Sequence, residues 1–401
     1  MRESGVVTEE LRRARIAVSV YFAVMGLVAG VWLARIPAVK GQAHLSDGTL
    51  GVALFAIPVG LVGGSYLAGR LVDRVGSAAM TRIGGIGVCV LVVLPGLAHN
   101  LAGIAVPLLV YGFFGGMLDV AQNAQGVRVE AGYGRPVMTS LHACYSLGAI
   151  FGSLAGGAFA WAGLAALPTL AFGGGAGLVA LLTLGRWLLP GAGPGHAPEA
   201  VATQAPGVTR PVWQVVLALG VLAVCGLVIE GAVGDWSAVY LHDNLGTTQG
   251  LAALAFAAFS VTMTIGRLVG DRLVRRFGPP RLIRTCAVIS LIGLVAALAL
   301  SSPPLAIAGF TLLGAGLASS IPQVFAAGGR ADPDRPGAGL GKVVAMGYAG
   351  MTAGPAVIGA LASVVGLRLA FSITIVLAAL MALAAPALAW RGARRTAPGS
   401  C

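Results

Sequence analysis

The chain has 401 residues, of which 57% are hydrophobic and 10% charged, against roughly 25% charged and 45–50% apolar in an ordinary soluble domain. That composition excludes a water-soluble globular protein and leaves a membrane chain. A formal charge of +12 would suit a nucleic-acid partner, but its placement along the chain assigns it to membrane topology instead, and no nucleic acid is expected.

A helix needs about 20 mostly apolar residues to cross a bilayer. Twelve stretches qualify, near residues 15–34, 48–68, 82–98, 101–127, 137–160, 163–188, 213–236, 249–270, 282–300, 304–327, 340–364 and 367–390. With the N-terminus inside, 23 of the 26 Lys and Arg residues fall on the cytoplasmic side and only Arg35, Lys40 and Arg368 outside. The positive-inside rule then predicts that both termini are cytoplasmic. The first apolar run is too long for a signal-peptide core and leads straight into a second span, so it reads as an uncleaved helix. Cys89, Cys144, Cys225 and Cys286 fall in predicted spans and Cys401 is the last residue. No CxxC pair occurs, so neither a disulfide framework, a metal site nor a cofactor is expected.

Charge inside a span costs about 2.5–3.5 kcal/mol on insertion scales, so each acid there calls for a partner or a purpose. Span one ends with Trp32 and Arg35, just before Pro37. A tryptophan near the outer end of a span is expected in the aromatic belt, with stacking on a sugar ring as the alternative. On span four, Gly112, Gly115, Gly116, Asp119, Gln122, Asn123 and Gly126 share one helical face at 100° per residue. The glycines suit helix packing. Asp119, with Gln122 and Asn123 beside it, is the expected substrate or proton site, because a carboxyl in this setting can bind and release a proton. His142, early in span five at a similar depth, is its nearest titratable partner, with a merely hydrogen-bonded role as the alternative.

Residues 189–211 are rich in Pro, Gly and Ala and read as a linker. Span seven then carries Glu230 in its outer third, on a face with Ala223, Gly226 and Gly234, followed by Asp235 and Trp236. Glu230 is expected either to bind substrate or protons or to form a structural pair. Pairing of Arg35 with Glu230 or Asp235 would make an outer gate, against interfacial snorkelling as the alternative. The face of span ten matching that of span four carries Gly309, Gly316, Ser319, Ser320 and Gln323. Ser319 thus stands where Asp119 does, and Gln323 where Asn123 does.

The two halves of the chain repeat. "GVWLARIP" at Gly30 aligns with "GDWSAVYL" at Gly234, superimposing Trp32 on Trp236, and Arg135-Pro136 meets Arg335-Pro336 at a shift of 200. Gly148, Gly152, Ser153 and Gly157 match Gly350, Gly354, Pro355 and Gly359 at a shift of 202. A charged cluster follows the second span of each half, "GRLVDRVG" from Gly69 and "GRLVGDRLVRRFG" from Gly266. Parallel six-helix repeats are one architecture of secondary transporters.

Here the sequence resembles the major facilitator superfamily, over essentially its whole length. Gly69, Leu71, Asp73, Arg74 and Gly76 look like that family's signature loop between helices two and three. "WLARIPAVKGQAHLSDGTLGVAL", "LDVAQNAQGVRVE", "LHACYSLGAIFG" and "GDWSAVYL" look like the MosC-like branch, near the fucose-permease-like carriers. The resemblance implies that Asp73 faces the positive start of helix eleven, with an arginine nearby, and helps hold the cytoplasmic side closed. Asp271, in the richer second copy, is expected to latch in the same way. The sequence departs from the family in following Gly76 with "SAAMTR" where a basic pair is usual. The glycine pattern of span five resembles the fifth-helix motif of drug antiporters, with Ser153 in place of its proline.

The expected fold is an all-α membrane protein of twelve transmembrane helices in two six-helix bundles: 1–188, a cytoplasmic linker 189–211, 212–390, and a cytoplasmic tail 391–401. The expected function is a proton-coupled secondary transporter of a small polar metabolite such as a sugar or inositol derivative. It would work as a monomer by alternating access in an inner membrane, with protons and the lipid bilayer as its other partners. The alternatives are a proton-antiport exporter of a hydrophobic compound and a transporter-like receptor without net flux. No nucleophile–base pair, metal spacing or phosphate loop points to an enzyme.

Overall fold

The Thr8 hydroxyl opens the first helix by accepting from Leu11 N at 3.2 Å. Glu9 and Glu10 occupy the first turn, where the helix dipole favours negative charge. From there α1 runs Glu9–Gln42, followed by α2 (Asp47–Val75), α3 (Ser77–Leu91), α4 (Leu101–Tyr133), α5 (Met138–Trp161) and α6 (Ala166–Leu184). The later helices are α7 (Val212–Val239), α8 (Gln249–Phe277), α9 (Pro279–Ala299), α10 (Pro303–Leu317), α11 (Ser320–Gly328), α12 (Pro336–Val365), α13 (Leu367–Phe371) and α14 (Ile373–Ala384). This computed structural model describes residues 8–45, 47–190 and 209–392. Most of the expected linker, 191–208, and most of the expected tail, 393–401, lie outside the described residues.

Among the described residues, twelve helical stretches are long and apolar enough to cross a membrane. The tenth is α10 with α11 (Pro303–Gly328), and the twelfth contains α13 and α14 (Leu367–Ala389). The fold is thus an all-α, multi-span membrane fold. Helix ends extend past the apolar runs: α1 continues through Arg35 and Pro37 to Gln42 instead of ending near residue 34. A proline inside a span is tolerated because neighbouring helices re-satisfy the freed backbone group.

One expected helix is interrupted. Span ten reads as continuous in sequence, but the chain turns at Ala318 and Ser319 between α10 and α11. Pro322 explains the break: it has no N–H for the carbonyl of Ala318 four residues earlier, and its ring crowds that carbonyl.

Two compact units divide the chain. The first comprises Met1–Ala205 and Asp332–Ala345, and the second Pro206–Ala331 and Met346–Cys401; α12 therefore begins in one unit and continues in the other. In the first unit α1 packs on α5, α2 on α4, and α3 on α4 and α6. Small residues let these backbones touch: Gly148 and Gly152 leave no room for a Cβ against Ala23 and Leu27 of α1. Ser153 donates to Gly30 O at 3.4 Å on the same seam. This packing accounts for Gly148 and Gly152 of the span-five pattern, whereas a Cβ at Gly157 would meet nothing within 4 Å.

In the second unit α8 and α9 pack on α10, α9 packs on α14, and α7 on α14 and α11. Gly350 and Gly354 of α12 rest on Val224 and Val228 of α7. First-with-fifth, second-with-fourth and third-with-sixth pairing therefore recurs in both units. The charged clusters end in Gly76 (φ 90°) and Gly278 (φ 75°), a backbone region that side chains disfavour, so glycine makes each tight turn into the next helix. Thr209–Arg210 and Arg391–Gly392 form a two-residue parallel pairing, which the sequence did not announce.

Candidate functional site

Asp119 lies on α4 with only 4% of its surface exposed. Asn123, one turn on, donates from Nδ2 to Asp119 Oδ1 at 3.0 Å and to the Asp119 carbonyl at 2.8 Å. The Oδ1 of Asn123 in turn lies 3.1 Å from His142 Nε2 of α5. With its amide donating to the carboxylate, Asn123 accepts at Oδ1, so His142 presents an N–H at Nε2. The carboxyl and the imidazole are thus joined through one amide, and the ring of Phe22 of α1 sits 5.0 Å from that of His142. Gln122 points to α1, where Nε2 lies 3.1 Å from Met25 Sδ. Its Oε1 is buried without a hydrogen-bond partner. The face of span four is therefore shared: Gly112 and Gly116 pack on α2, while Asn123 and Gly126 meet α5.

The second unit holds a different arrangement. Glu230 of α7 accepts from Arg267 of α8, Oε1 to Nη2 at 3.5 Å, with the two side chains 29% and 8% exposed. Arg267 lies ten residues before the end of α8, about 15 Å along the helix axis, so it is an intramembrane residue and not one of the cytoplasmic arginines. This pairing corrects the position of Glu230, which lies toward the middle of α7 because that helix continues to Val239 and then through a π turn to Asn244. Gly266, next to Arg267, packs on Ala318, which puts the pair at the level of the break in the tenth span. Ser319 and Gln323 are buried there, and the Ser320 hydroxyl is buried without a partner. The signal for Arg267 was present in sequence as an arginine inside predicted span eight.

At the end of the first unit where α2 gives way to α3, Asp73 Oδ1 accepts from Gly337 N at 2.9 Å and Oδ2 from Ala338 N at 3.2 Å. These are free amides in the first turn of α12, where a carboxylate gains from both hydrogen bonds and the dipole. Gly69 and Gly341 face each other with no space for a Cβ on either. Asp332 shapes the approach to α12 by accepting from Asp334 N at 3.1 Å and Arg335 N at 3.0 Å. Arg74 is exposed.

At the corresponding place in the repeat, the amides at the start of α5, Val137 N and Met138 N, donate to Glu130 Oε2 at 2.9 and 3.1 Å, so the acid on that helix start is Glu130. Asp271 is buried. Glu130 is a capping residue that sequence reading missed; at the shift of 200 its counterpart is Arg330, so the repeat hid it.

Arg35 is 4% exposed and donates through Nη2 to the carbonyl of Leu164, while Glu230 is engaged by Arg267. Burial also excludes snorkelling for Arg35, since α1 does not end there. Asp235 is exposed. Trp32 is 3% exposed, which does not fit a belt residue. Trp236 is half-buried, with Gly359 against its ring and Nε1 lacking a hydrogen-bond partner.

Twelve apolar spans with matching packing in two units and an acid docked on the first turn of α12 define a transporter of the major facilitator type, and the chain belongs to that superfamily. Residues 235–399 match the family described as Major Facilitator Superfamily. The chain is 35% identical over 376 residues to the uncharacterized transporter y4wD of Sinorhizobium fredii, covering 92% of this chain and 96% of that one. It is 32% identical over 368 residues to an uncharacterized MFS-type transporter of Yersinia pestis, at 92% and 94% coverage. With the membrane protein MosC of Rhizobium meliloti it shares 29% identity over 385 residues, at 95% and 91% coverage. Two solved structures share its fold. The human organic anion transporter MFSD10 gives a TM-score of 0.76 at 16% identity, covering 94% of this chain and 100% of that one. The transporter FucP in its outward conformation gives 0.76 at 15% identity, with 92% and 97% covered. The protein is therefore a multi-pass membrane transporter of a small-molecule substrate and not an enzyme.

Two outcomes follow from these contacts. Asp73→Asn removes a charge worth about 0.3–1 kcal/mol at a helix start; with Ala338→Cys in a background lacking native cysteines, thiol labelling should speed up about two- to fivefold, and unchanged labelling would count against docking by charge. Glu230→Gln and Arg267→Gln should each lower stability in detergent by on the order of 1–3 kcal/mol, and the double variant by less than their sum, because each single change removes one side of the same pair. Additive losses would contradict a coupled pair.

Proposed function

We propose that this protein couples movement of a small polar metabolite to protons by alternating access, with Asp119 as the proton-binding carboxyl. The buried chain from Asp119 through Asn123 to His142 supports this reading most directly. Protonating Asp119 removes the negative charge that the Asn123 amide donates to, and the same amide orients His142, so the charge state of one group is felt at the other. Glu230 is the second intramembrane acid, and Gln122, with an open buried acceptor, and Gln323 are the candidate amides for hydroxyl groups of the cargo. Trp32 and Trp236 are the candidates for stacking against a ring. A fucose:proton symporter is among the solved structures with this fold, at 16% identity and a TM-score of 0.69, and its class of cargo extends to this chain by analogy of fold.

The proposal places both chain ends on the cytoplasmic side of an inner membrane, following the distribution of Lys and Arg, and takes the monomer as the working unit. Asp73, docked on α12, then latches the cytoplasmic side, and the cycle requires it to release. The two units are then the two moving bodies of the cycle.

The test is proton flux in proteoliposomes containing an internal pH dye, challenged with polyols, monosaccharides and lipophilic cations. A pH change on adding a polyol or sugar, abolished in Asp119→Asn, is the expected result. A signal from lipophilic cations alone would replace the cargo class with hydrophobic compounds. An undiminished signal in Asp119→Asn would remove that residue from proton coupling.

A further inference from the structure

The α8–α9 side of the second unit carries a groove that the transport reading does not use. Its volume is about 480 Å³, and it is lined on α8 by Ile265, Val269, Leu273 and Phe277, and on α9 by Arg281, near the start of that helix, and Ile289, two turns further on. The α8 positions recur every four residues and so form one stripe. From Ile265 to Phe277 the stripe covers about 18 Å at 1.5 Å per residue, slightly more than half of a hydrocarbon core about 30 Å thick. Ile265, Val269 and Phe277 are exposed on a membrane-spanning helix. The groove therefore has the length of one leaflet and a wall suited to a hydrocarbon chain.

Charge sits at one end only. Arg281 takes no hydrogen bond or ion pair among the described residues. Arg275 and Arg276 lie in the last turn of α8; Arg284, in α9, donates to the carbonyl of Ala382 at 3.3 Å. The nearest acid in sequence, Asp271, is buried. An apolar slot ending in an unneutralised cluster of guanidinium groups complements an amphiphile with a long tail and a negative head.

We propose that this groove binds an anionic phospholipid, its acyl chain along the α8 stripe and its phosphate on Arg281. Gly266 also lines the groove and packs on Ala318 at the break in the tenth span, and Arg267 is the next residue. A bound lipid thus braces α8 directly behind the Glu230–Arg267 pair, which makes membrane composition an input to that pair.

Purified protein in phosphatidylcholine nanodiscs, titrated with phosphatidylglycerol and read by native mass spectrometry, tests the site without requiring a known cargo. Phosphatidylglycerol should be retained in preference to phosphatidylcholine. Arg281→Gln should reduce that preference about fivefold, the worth of one basic residue at an anionic surface, whereas Arg186→Gln in the first unit should not. Val269→Trp, which fills the slot and leaves Arg281 in place, should reduce retention of the lipid as well; if that variant does not fold, Arg281→Gln decides alone. Retention unchanged in Arg281→Gln, or displacement of phosphatidylglycerol by inorganic phosphate, would overturn the assignment.

Discussion

A charge inside an apolar helix bundle has to be matched within the protein, because the bilayer offers neither water nor counterion. Three intramembrane charges show such partners: Asp119 on Asn123, Glu230 on Arg267, Arg35 on the carbonyl of Leu164. The partners differ in kind. Asn123 is neutral and links Asp119 to the imidazole of His142. Arg267 keeps its charge at every relevant pH, so neutralising Glu230 alters the balance around a buried cation. On the proposed reading the first unit takes up the proton and the second is where an altered balance acts on cargo.

The same demand for partners governs the helix ends. Two helices that follow an Arg-Pro pair at equivalent places in the repeat, α5 and α12, both present free amides in their first turn, and an acid satisfies each. For α5 the acid is Glu130, at the end of the preceding helix. For α12 it is Asp73, delivered from α2, more than 260 positions away in the chain. A local cap holds its helix start whatever else moves, whereas a distant one can be released. On the proposed reading, the acid that latches and releases is therefore Asp73, while Glu130 caps its own half permanently.

Much of this was legible beforehand because it depends on period and composition. Apolar length placed the spans, and the shift of 200 placed the matching turns. The intramembrane acids Asp119 and Glu230 stood out because nothing else in their spans resembles them. What escaped depends on geometry across helices. Pro322 was visible, but whether a proline kinks a span or ends it is decided by neighbouring packing, and α1 tolerates Pro37 while the tenth span breaks. Arg267 was counted with the cytoplasmic arginines because the charged motif around it drew the eye to the loop. Glu130 was hidden by the very repeat that revealed the fold, since Arg330 occupies its counterpart. Trp32 looked like an interfacial residue only because α1 was ended too early.

The central claim is that the Asp119 carboxyl takes up and gives up a proton in the working protein. Difference infrared spectroscopy between acidic and alkaline buffer, on protein reconstituted in lipid, observes that carboxyl directly. The account predicts a protonated-carboxyl band in the acidic state that vanishes on raising the pH, is absent in Asp119→Asn, and shifts in His142→Gln because the Asn123 link is disturbed. A band indifferent to Asp119→Asn, or a carboxyl that never protonates across the range in which the protein stays folded, would contradict it.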